Sequence, residues 1–310
     1  MKALLRQIRL EAQGIHSYRL EPLPNEQFPQ FEAGAHIDVS ISEGLLRSYS
    51  LVNDPSDNKF YEIAVQLDVE SRGGSEGIHK LWQVGQEIEI SAPKNNFELD
   101  ETAEHSVLIA GGIGITPMMA MIARLETLGK SWELHYVSST QSSAAYLERL
   151  QPYENAHVIF HDNTMGLRMD MAQIISEAPS GSHFYCCGPE RMLVSFQELM
   201  SSKPEENVHY EYFSADTDVA LDGGFKLQLM RSNKTVEVEK GETILDALLM
   251  AGVDIGFACS EGVCGTCEVK VLDGVPDHRD HFLSEADKET NKAIMVCCSG
   301  SKSETLVLDI

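Results

Sequence analysis

Cys259, Cys264 and Cys267 stand in the run Ala258-Cys259-Ser260-Glu261-Gly262-Val263-Cys264-Gly265-Thr266-Cys267, and Cys297 follows thirty positions later. The pattern C-x4-C-x2-C…C is the spacing with which four thiolates hold a plant-type [2Fe–2S] cluster. Such a cluster accepts and gives one electron at a time, so the chain reads as an electron carrier. Cys264-x-x-Cys267 alone also suits half a zinc site, but zinc sites pair two such knuckles and no second one follows. Gly262 and Gly265 let the loop curl, so that backbone N–H groups can face the sulfurs. Cys298 adjoins Cys297. Neighbouring side chains tend to point in opposite directions, and Cys297 is taken as the fourth ligand.

Other residues suit the binding of nucleotides. Gly111-Gly112-Ile113-Gly114-Ile115-Thr116-Pro117 lies between an apolar strand and a helix, where glycines admit a ligand phosphate and the helix N-terminus favours an anion. It is not a G-x-G-x-x-G fingerprint, and the glycines also suit a plain tight turn. Cys187-Gly188-Pro189 ends a later strand of the same segment, where a thiol can lie beside a reacting ring or be merely structural. Cys186 fits the structural role better. Arg47-Ser48-Tyr49-Ser50 offers an arginine for a phosphate, an aromatic face and hydroxyls, a set that suits a flavin. Arg72-Gly73-Gly74-Ser75 before Ile78-His79-Lys80-Leu81 offers a second phosphate contact through backbone N–H groups. Asp277-His278-Arg279-Asp280-His281 has metal-binding residue types, but its histidines have no matching pair and it reads as an exposed loop.

Three segments must position these groups. Residues 1 to about 102 are β-rich, with runs at His36–Ile41, Tyr49–Val52, Tyr61–Leu67 and Glu87–Ile90, and turns at Gly44, Asn53-Asp54-Pro55 and Gly73-Gly74. Short strands so spaced suggest a small antiparallel barrel. Residues 103–214 alternate strands at Val107–Ala110, Trp132–Val137, His157–Phe160, His183–Cys187 and Val208–Phe213 with helical stretches, the first from Met118 to Leu128. This alternation predicts an α/β domain with a parallel sheet. The acidic stretch 215–224 ends in Gly-Gly and reads as a linker. Residues 225–310 form a small mixed domain, with a hairpin at Phe225–Leu229 and Thr235–Val238, a helix capped by Thr243, the cysteine loop and a closing strand at Thr305–Ile310.

The 310 residues carry a formal net charge of −24, which argues against a nucleic-acid partner. From residue 225 onward 9 Lys+Arg face 15 Asp+Glu, so most of the acidity lies in the first two segments. An acidic surface can steer a basic partner or simply maintain solubility. The start, Met1-Lys2-Ala3-Leu4-Leu5-Arg6-Gln7, lacks the apolar core of a signal peptide, and no run is long enough to span a membrane. A cytoplasmic protein without disulfides is expected, away from membranes.

Together these motifs resemble the phthalate dioxygenase reductase family, which includes the reductases of vanillate demethylase systems. The resemblance covers nearly the whole chain. It rests on Arg47–Pro55, Ser71–Ser75, Ala110–Pro117, Tyr185–Pro189, the cysteine loop, and the tail from Met295-Val296-Cys297-Cys298-Ser299 to Ile310. It implies an antiparallel β-barrel that binds FMN, an α/β parallel-sheet domain that binds NAD, and a β-grasp [2Fe–2S] ferredoxin domain. Arg47, Ser48, Tyr49, Ser50, Arg72, Gly74 and Ser75 would hold FMN, which the Arg72–Ser75 segment favours over FAD. Phe213 would cover the flavin, and Gly112, Gly114, Thr116, Cys187 and Pro189 would line the nicotinamide site. NADH would give hydride to FMN, and single electrons would pass through the cluster to a Rieske oxygenase. Ser138-Ser139-Thr140 offers no arginine for a 2′-phosphate and Asp162 would repel one, which favours NADH. Gly300 departs from the family, which often carries arginine there. Aromatic acids, methylated amines and carnitine-like compounds are the substrate classes implied for the oxygenase. Two alternatives stay open at this stage: a stand-alone flavin reductase or oxidase, and a zinc-binding module without activity.

Overall fold

The computed structural model describes residues 1–42, 44–69, 71, 73–160, 169–213 and 218–310. It divides into two compact units, Met1–Glu211 and Tyr212–Ile310.

The first unit opens with a hairpin of β1 (Lys2–Ala12) and β2 (Ile15–Pro22), turned at Gly14 with φ +73°. Its strands were not anticipated from the sequence. Adjacent apolar residues Ala3, Leu4 and Leu5 blur the alternation, and a bulge between Leu5 and Gln7 shifts its phase. Strands β3 (His36–Ser42), β4 (Leu45–Ser50) and β5 (Tyr61–Gln66) follow, then helix α1 (Gly74–Leu81) and β6 (Glu87–Glu89). The sheet β5-β2-β1-β6 and the pair β3-β4 are antiparallel. Bridges Val39↔Ile90 and Leu51↔Ile63 join the two sheets on both sides, so the six strands close a barrel. Closure leaves no unpaired edge inside. Leu5, Leu20, Ile37, Val39, Leu51 and Ile63 fill it, and Ile78 and Trp82 of the α1 segment cover one end. Tyr18 and Trp82 meet edge to face with centroids 5.4 Å apart. Full burial of Ile78 contributes roughly 1.5–3 kcal/mol.

The same unit then builds β7 (His105–Gly111), α2 (Ile115–Leu128), β8 (Ser131–Ser138), α3 (Leu147–Leu150), β9 (Ala156–Phe160), α4 (Met171–Glu177), β10 (His183–Cys187), α5 (Glu190–Met200) and β11 (Val208–Glu211). All five strands are parallel, in the order β11-β10-β7-β8-β9. Ser106 to Gly111 of β7 are buried without alternation, as a strand covered on both faces requires. Helix α2 starts at Ile115, earlier than expected, because Pro117 falls in the first turn, where a missing N–H costs nothing. It ends where Gly129 takes φ +64° and Lys130 N–H donates to Leu125 O at 3.0 Å. The chain winds one way from β7 to β9 and the other way to β10 and β11. The switch point therefore lies between the C-terminal ends of β7 and β10, the usual place for a ligand crevice. Arg149 Nη2 donates to Glu62 Oε1 at 2.6 Å and Gln13 N–H to Ser142 O at 2.7 Å, fixing the parallel sheet's α3 region to the barrel.

In the second unit β12 (Phe225–Leu229) and β13 (Lys234–Val238) form the expected hairpin. Helix α6 (Ile244–Met250) follows, then β14 (Glu268–Asp273), β15 (Pro276–Asp277), α7 (Glu285–Thr290), β16 (Ala293–Met295), β17 (Gly300–Ser301) and β18 (Thr305–Leu308). The mixed sheet β13-β12-β18-β14-β16 packs Leu227, Leu229, Leu306 and Leu308 against Leu245 and Leu248 of α6, which is a β-grasp arrangement. Thr243 caps α6 in a reciprocal box with Asp246, at 3.0 and 3.1 Å. Of the stretch read as a linker, residues 218–224 are hydrogen-bonded to this unit: Ala220 N–H donates to Cys298 O and Gly224 N–H to Val238 O, both at 2.8 Å. No helix among the described residues is long and apolar enough to cross a membrane.

Candidate functional site

The four cysteines converge. Cys259, Cys264 and Cys267 lie in the loop between α6 and β14, and Cys297 lies just after β16, whose pairing with β14 brings the two segments together. Hydrogen bonds from Cys264 and Cys297 outweigh burial and hold the Cys259 thiol far below its usual range. A hydrogen bond from Cys297 lowers Cys267, and the donors Cys264 and Cys297 are raised in turn. The sulfurs thus form one connected set, 264–259–297–267, with Cys298 adjoining it through Cys297. Glu261 N–H donates to Cys259 Sγ at 3.3 Å, and Gly262 and Gly265 take φ +69° and +73°, the left-handed turns that wrap the loop around the sulfurs. Cys298 is buried and directs its thiol to Met295 O at 3.8 Å. The donor set and its backbone N–H support fit a [2Fe–2S] cluster. Gly300 has a local reason: a Cβ there would lie 2.8 Å from Ala220 Cβ, so the docked stretch 218–224 leaves no room for a side chain.

In the barrel, Arg47, Ser48, Tyr49 and Ser50 line up on β4. Ser48 Oγ donates to Asp38 Oδ1 at 2.6 Å, and Lys94 Nζ donates to Asp38 Oδ2 at 2.7 Å, so the buried carboxylate is neutralised and the strand is pinned. Burial pushes the Tyr49 phenol up, keeping it uncharged. Helix α1 begins after Gly73, at φ +87°, and Gly74 lies against Arg47, where a Cβ would fall 2.9 Å from Nε. A guanidinium thus stands over the first turn of a helix, a cradle that fits a phosphate. Ser75 Oγ bonds Ser71 Oγ at 3.1 Å and accepts from Asp68 N–H at 3.1 Å, tying the preceding loop to the helix. Arg72 lies outside the described residues.

The parallel sheet joins the second pair of motifs. A Cβ on Gly114 would lie 2.2 Å from Cys187 O, and one on Gly111 would lie 2.7 Å from Pro189 Cδ. The Gly112–Gly114 turn and Cys187-Gly188-Pro189 therefore touch backbone to backbone across the switch point. Thr116 is buried and its Oγ1 donates to Ile113 O at 2.9 Å, holding the turn closed. The hydroxyls of Thr140 and Ser143 bond one another at 3.0 Å beyond β8. Asp162 lies outside the described residues. Phe213 follows the end of β11 by two positions.

Glu211, at the end of β11, was missed by the sequence reading. It is the Cα partner of Cys187, and its Oε2 is buried with no hydrogen-bond partner among the described residues. Burial pushes its carboxyl up to about 8. Burial first, then Glu211, then Cys186 raise the Cys187 thiol far above its usual value. The available signal was positional: Glu211 sits as far along the last strand as Cys187 sits along its neighbour.

The stretch Asp277–His281, expected from its composition to be an exposed loop, is exposed at His281, half-buried from Asp277 to Arg279 and buried at Asp280. Asp280 is 3% exposed, and Phe282 after it lies on the cluster loop. Packing against Gly262, invisible in the local pattern, helps bury Asp280.

Comparison with known proteins agrees with this fold. Residues 227–301 match a family described as the 2Fe-2S iron-sulfur cluster binding domain, and residues 87–205 match the dimethylamine monooxygenase subunit DmmA-like N-terminal domain. The chain is 47% identical to phenoxybenzoate dioxygenase subunit beta of Ectopseudomonas oleovorans over 90% of its length and 88% of that protein's. It is also 47% identical to tetrachlorobenzoquinone reductase of Sphingobium chlorophenolicum, over 98% of its length and 96% of that protein's. The solved phthalate dioxygenase reductase, described as a modular structure for electron transfer from pyridine nucleotides to [2Fe-2S], superposes with a TM-score of 0.77 at 33% identity, over 100% of this chain and 98% of that one. An intact self-sufficient cytochrome P450 monooxygenase matches with a TM-score of 0.88 at 37% identity, and this chain spans 41% of its length. The match to a cluster-binding family sets aside the zinc reading. These relatives, together with the barrel, the parallel sheet and the β-grasp unit, place this chain in the phthalate dioxygenase reductase-like family of NADH-dependent flavin and iron–sulfur oxidoreductases.

Proposed function

We propose that this protein is the cytoplasmic reductase component of a Rieske-type oxygenase system, with that oxygenase as its protein partner. The observation that carries the reading is the four-thiol cradle in a chain that also holds a phosphate cradle at Arg47 and Gly74 and a nucleotide crevice at Gly114 and Cys187. The chain divides by function into an FMN-binding barrel at 1–102, an NAD-binding domain at 103–214, a connecting stretch at 215–224 and a ferredoxin domain at 225–310. When bound, FMN and the cluster convert the two-electron delivery of NADH into single-electron delivery. Arg47, Arg72 and the amides of Gly74 and Ser75 hold the flavin phosphate. Ser48, Tyr49 and Ser50 flank its ring, and Phe213 shields the ring from water. Gly112, Gly114, Thr116 and Pro189 shape the nucleotide crevice, Cys187 borders the nicotinamide, and Asp162 disfavours a 2′-phosphate.

The test begins with an absorption spectrum of the purified protein before and after NADH is added without air. Flavin and iron–sulfur bands should both bleach. Adding an oxygenase component with its substrate should then raise the rate of NADH consumption. Rapid NADH oxidation that no oxygenase component accelerates would remove the proposed partner. The quinone reductase relative supports a second reading, direct reduction of a halogenated quinone. Turnover with tetrachlorobenzoquinone in the absence of any oxygenase would favour it.

A further inference from the structure

The stretch Asp277–Leu283 joins the two segments that carry the four cysteines. On one side it presses on the cluster loop. His281 N–H donates to Gly262 O at 3.0 Å. A Cβ on Gly262 would lie 2.9 Å from Asp280 Cα, and one on Gly265 would lie 2.3 Å from the Phe282 ring. On the other side it grips the turn after Cys297. Ser299 is fully buried, its Oγ accepts the Arg279 N–H at 3.2 Å, and the same hydroxyl donates to Asp280 Oδ1 at 3.4 Å. Leu283 N–H donates to Asp280 Oδ2 at 2.8 Å, and His278 Nδ1 lies 3.6 Å from Oδ1. Asp280 is thus a buried carboxylate whose backbone touches the segment bearing three cysteines and whose side chain touches the segment bearing the fourth.

We propose that Asp280 is a positioning residue for electron transfer, which fixes the two ligand-bearing segments against each other and sets the reduction potential of the [2Fe–2S] cluster. Two physical effects act together. The β14–β16 pairing holds the two ligand-bearing segments together at one edge, and the contacts of Asp280 lock them at a second point, where outer hydrogen bonds orient the ligands. A carboxylate enclosed in protein also opposes the arrival of an electron nearby, because two negative charges repel more strongly there than in water. Cluster potentials respond to net charge, hydrogen bonding and exposure of this kind. The proposal rests on the cluster reading, and its test separates the two.

The experiment is an EPR-monitored redox titration of the holoprotein and its Asp280→Asn variant, with iron and acid-labile sulfide measured on both. Asparagine keeps the size and the acceptor for Leu283 N–H while removing the charge. The expected result is unchanged iron and sulfide, unchanged bleaching of the flavin by NADH, and a midpoint raised by enough to favour the reduced cluster about tenfold, which is about 59 mV for one electron. Ser299→Ala keeps the charge and removes both bonds by which the hydroxyl ties the Asp277–Leu283 stretch to the turn after Cys297. It should alter the EPR line shape of the reduced cluster and speed iron loss to a chelator. An Asp280→Asn cluster with the parent midpoint, or a Ser299→Ala cluster with the parent line shape and chelator resistance, would overturn the proposal. A parent protein with no iron–sulfur signal would overturn the cluster reading itself.

Discussion

Cys187 and Glu211 stand side by side at the C-terminal ends of adjacent parallel strands, and both are held uncharged by burial. No cation among the described residues accompanies the Glu211 carboxyl's Oε2, which has no hydrogen-bond partner there. A protonated acid is the inexpensive state for such a site. The adjacent C-terminal ends of β10 and β11 therefore carry a neutral thiol and a neutral acid.

The pH dependence follows from the direction of that shift. The folded carboxyl titrates at about 8 against an ordinary value of 4.5, so the folded chain binds the proton more tightly than the unfolded one. The associated stability is fully present below about 4.5 and is lost as pH rises through about 8. Glu211→Gln stays neutral and removes this dependence. Melting temperatures of the two proteins should agree at the acid end of that interval and diverge above it, with the variant the more stable. A gap that does not change with pH would refute the assignment.

Arg47→Ala should weaken FMN binding about tenfold to a hundredfold, since a hydrogen bond to a charged group contributes about 1.5–3 kcal/mol. Gly74→Val should act in the same direction, because its side chain would fill the space occupied by Arg47 Nε. Flavin fluorescence released on dilution reads both. Unaltered retention in the two variants would place the phosphate elsewhere.

Gly114→Ala forces a Cβ to within 2.2 Å of Cys187 O unless the turn moves. Displacement of about 1 Å at a reacting centre costs on the order of a hundredfold in rate. Stopped-flow reduction of the flavin by NADH should slow accordingly while FMN content is preserved. A parent-like rate would show that the two turns do not form the crevice.

Cys267→Ser should abolish the iron–sulfur absorption and electron delivery beyond the flavin, yet leave NADH bleaching of the flavin intact. Cys298→Ser should retain the cluster, because Cys297 is the one of the two that bonds both Cys259 and Cys267, while the Cys298 thiol adjoins Cys297 and lies 3.8 Å from Met295 O. Loss of the cluster in Cys298→Ser with retention in Cys297→Ser would reverse the assignment of the fourth ligand.

Ligand spacing, strand alternation and glycine-rich turns are local properties, and the amino-acid order alone determined what depends on them. The C-x4-C-x2-C run, the alternation of strand and helix from His105 to Glu211, and the Thr243 cap were all legible for that reason. The β1–β2 hairpin was not, because a bulge breaks the two-residue period on which strand recognition depends. What only tertiary structure decided is which distant residues share a wall. Glu211 became notable by lying in register with Cys187, and Asp280 by being pressed against Gly262 and bonded to Ser299. Both are ordinary acids in the chain. Their burial, and hence their chemistry, comes from strand register and backbone contact between segments far apart in sequence, which no local pattern encodes.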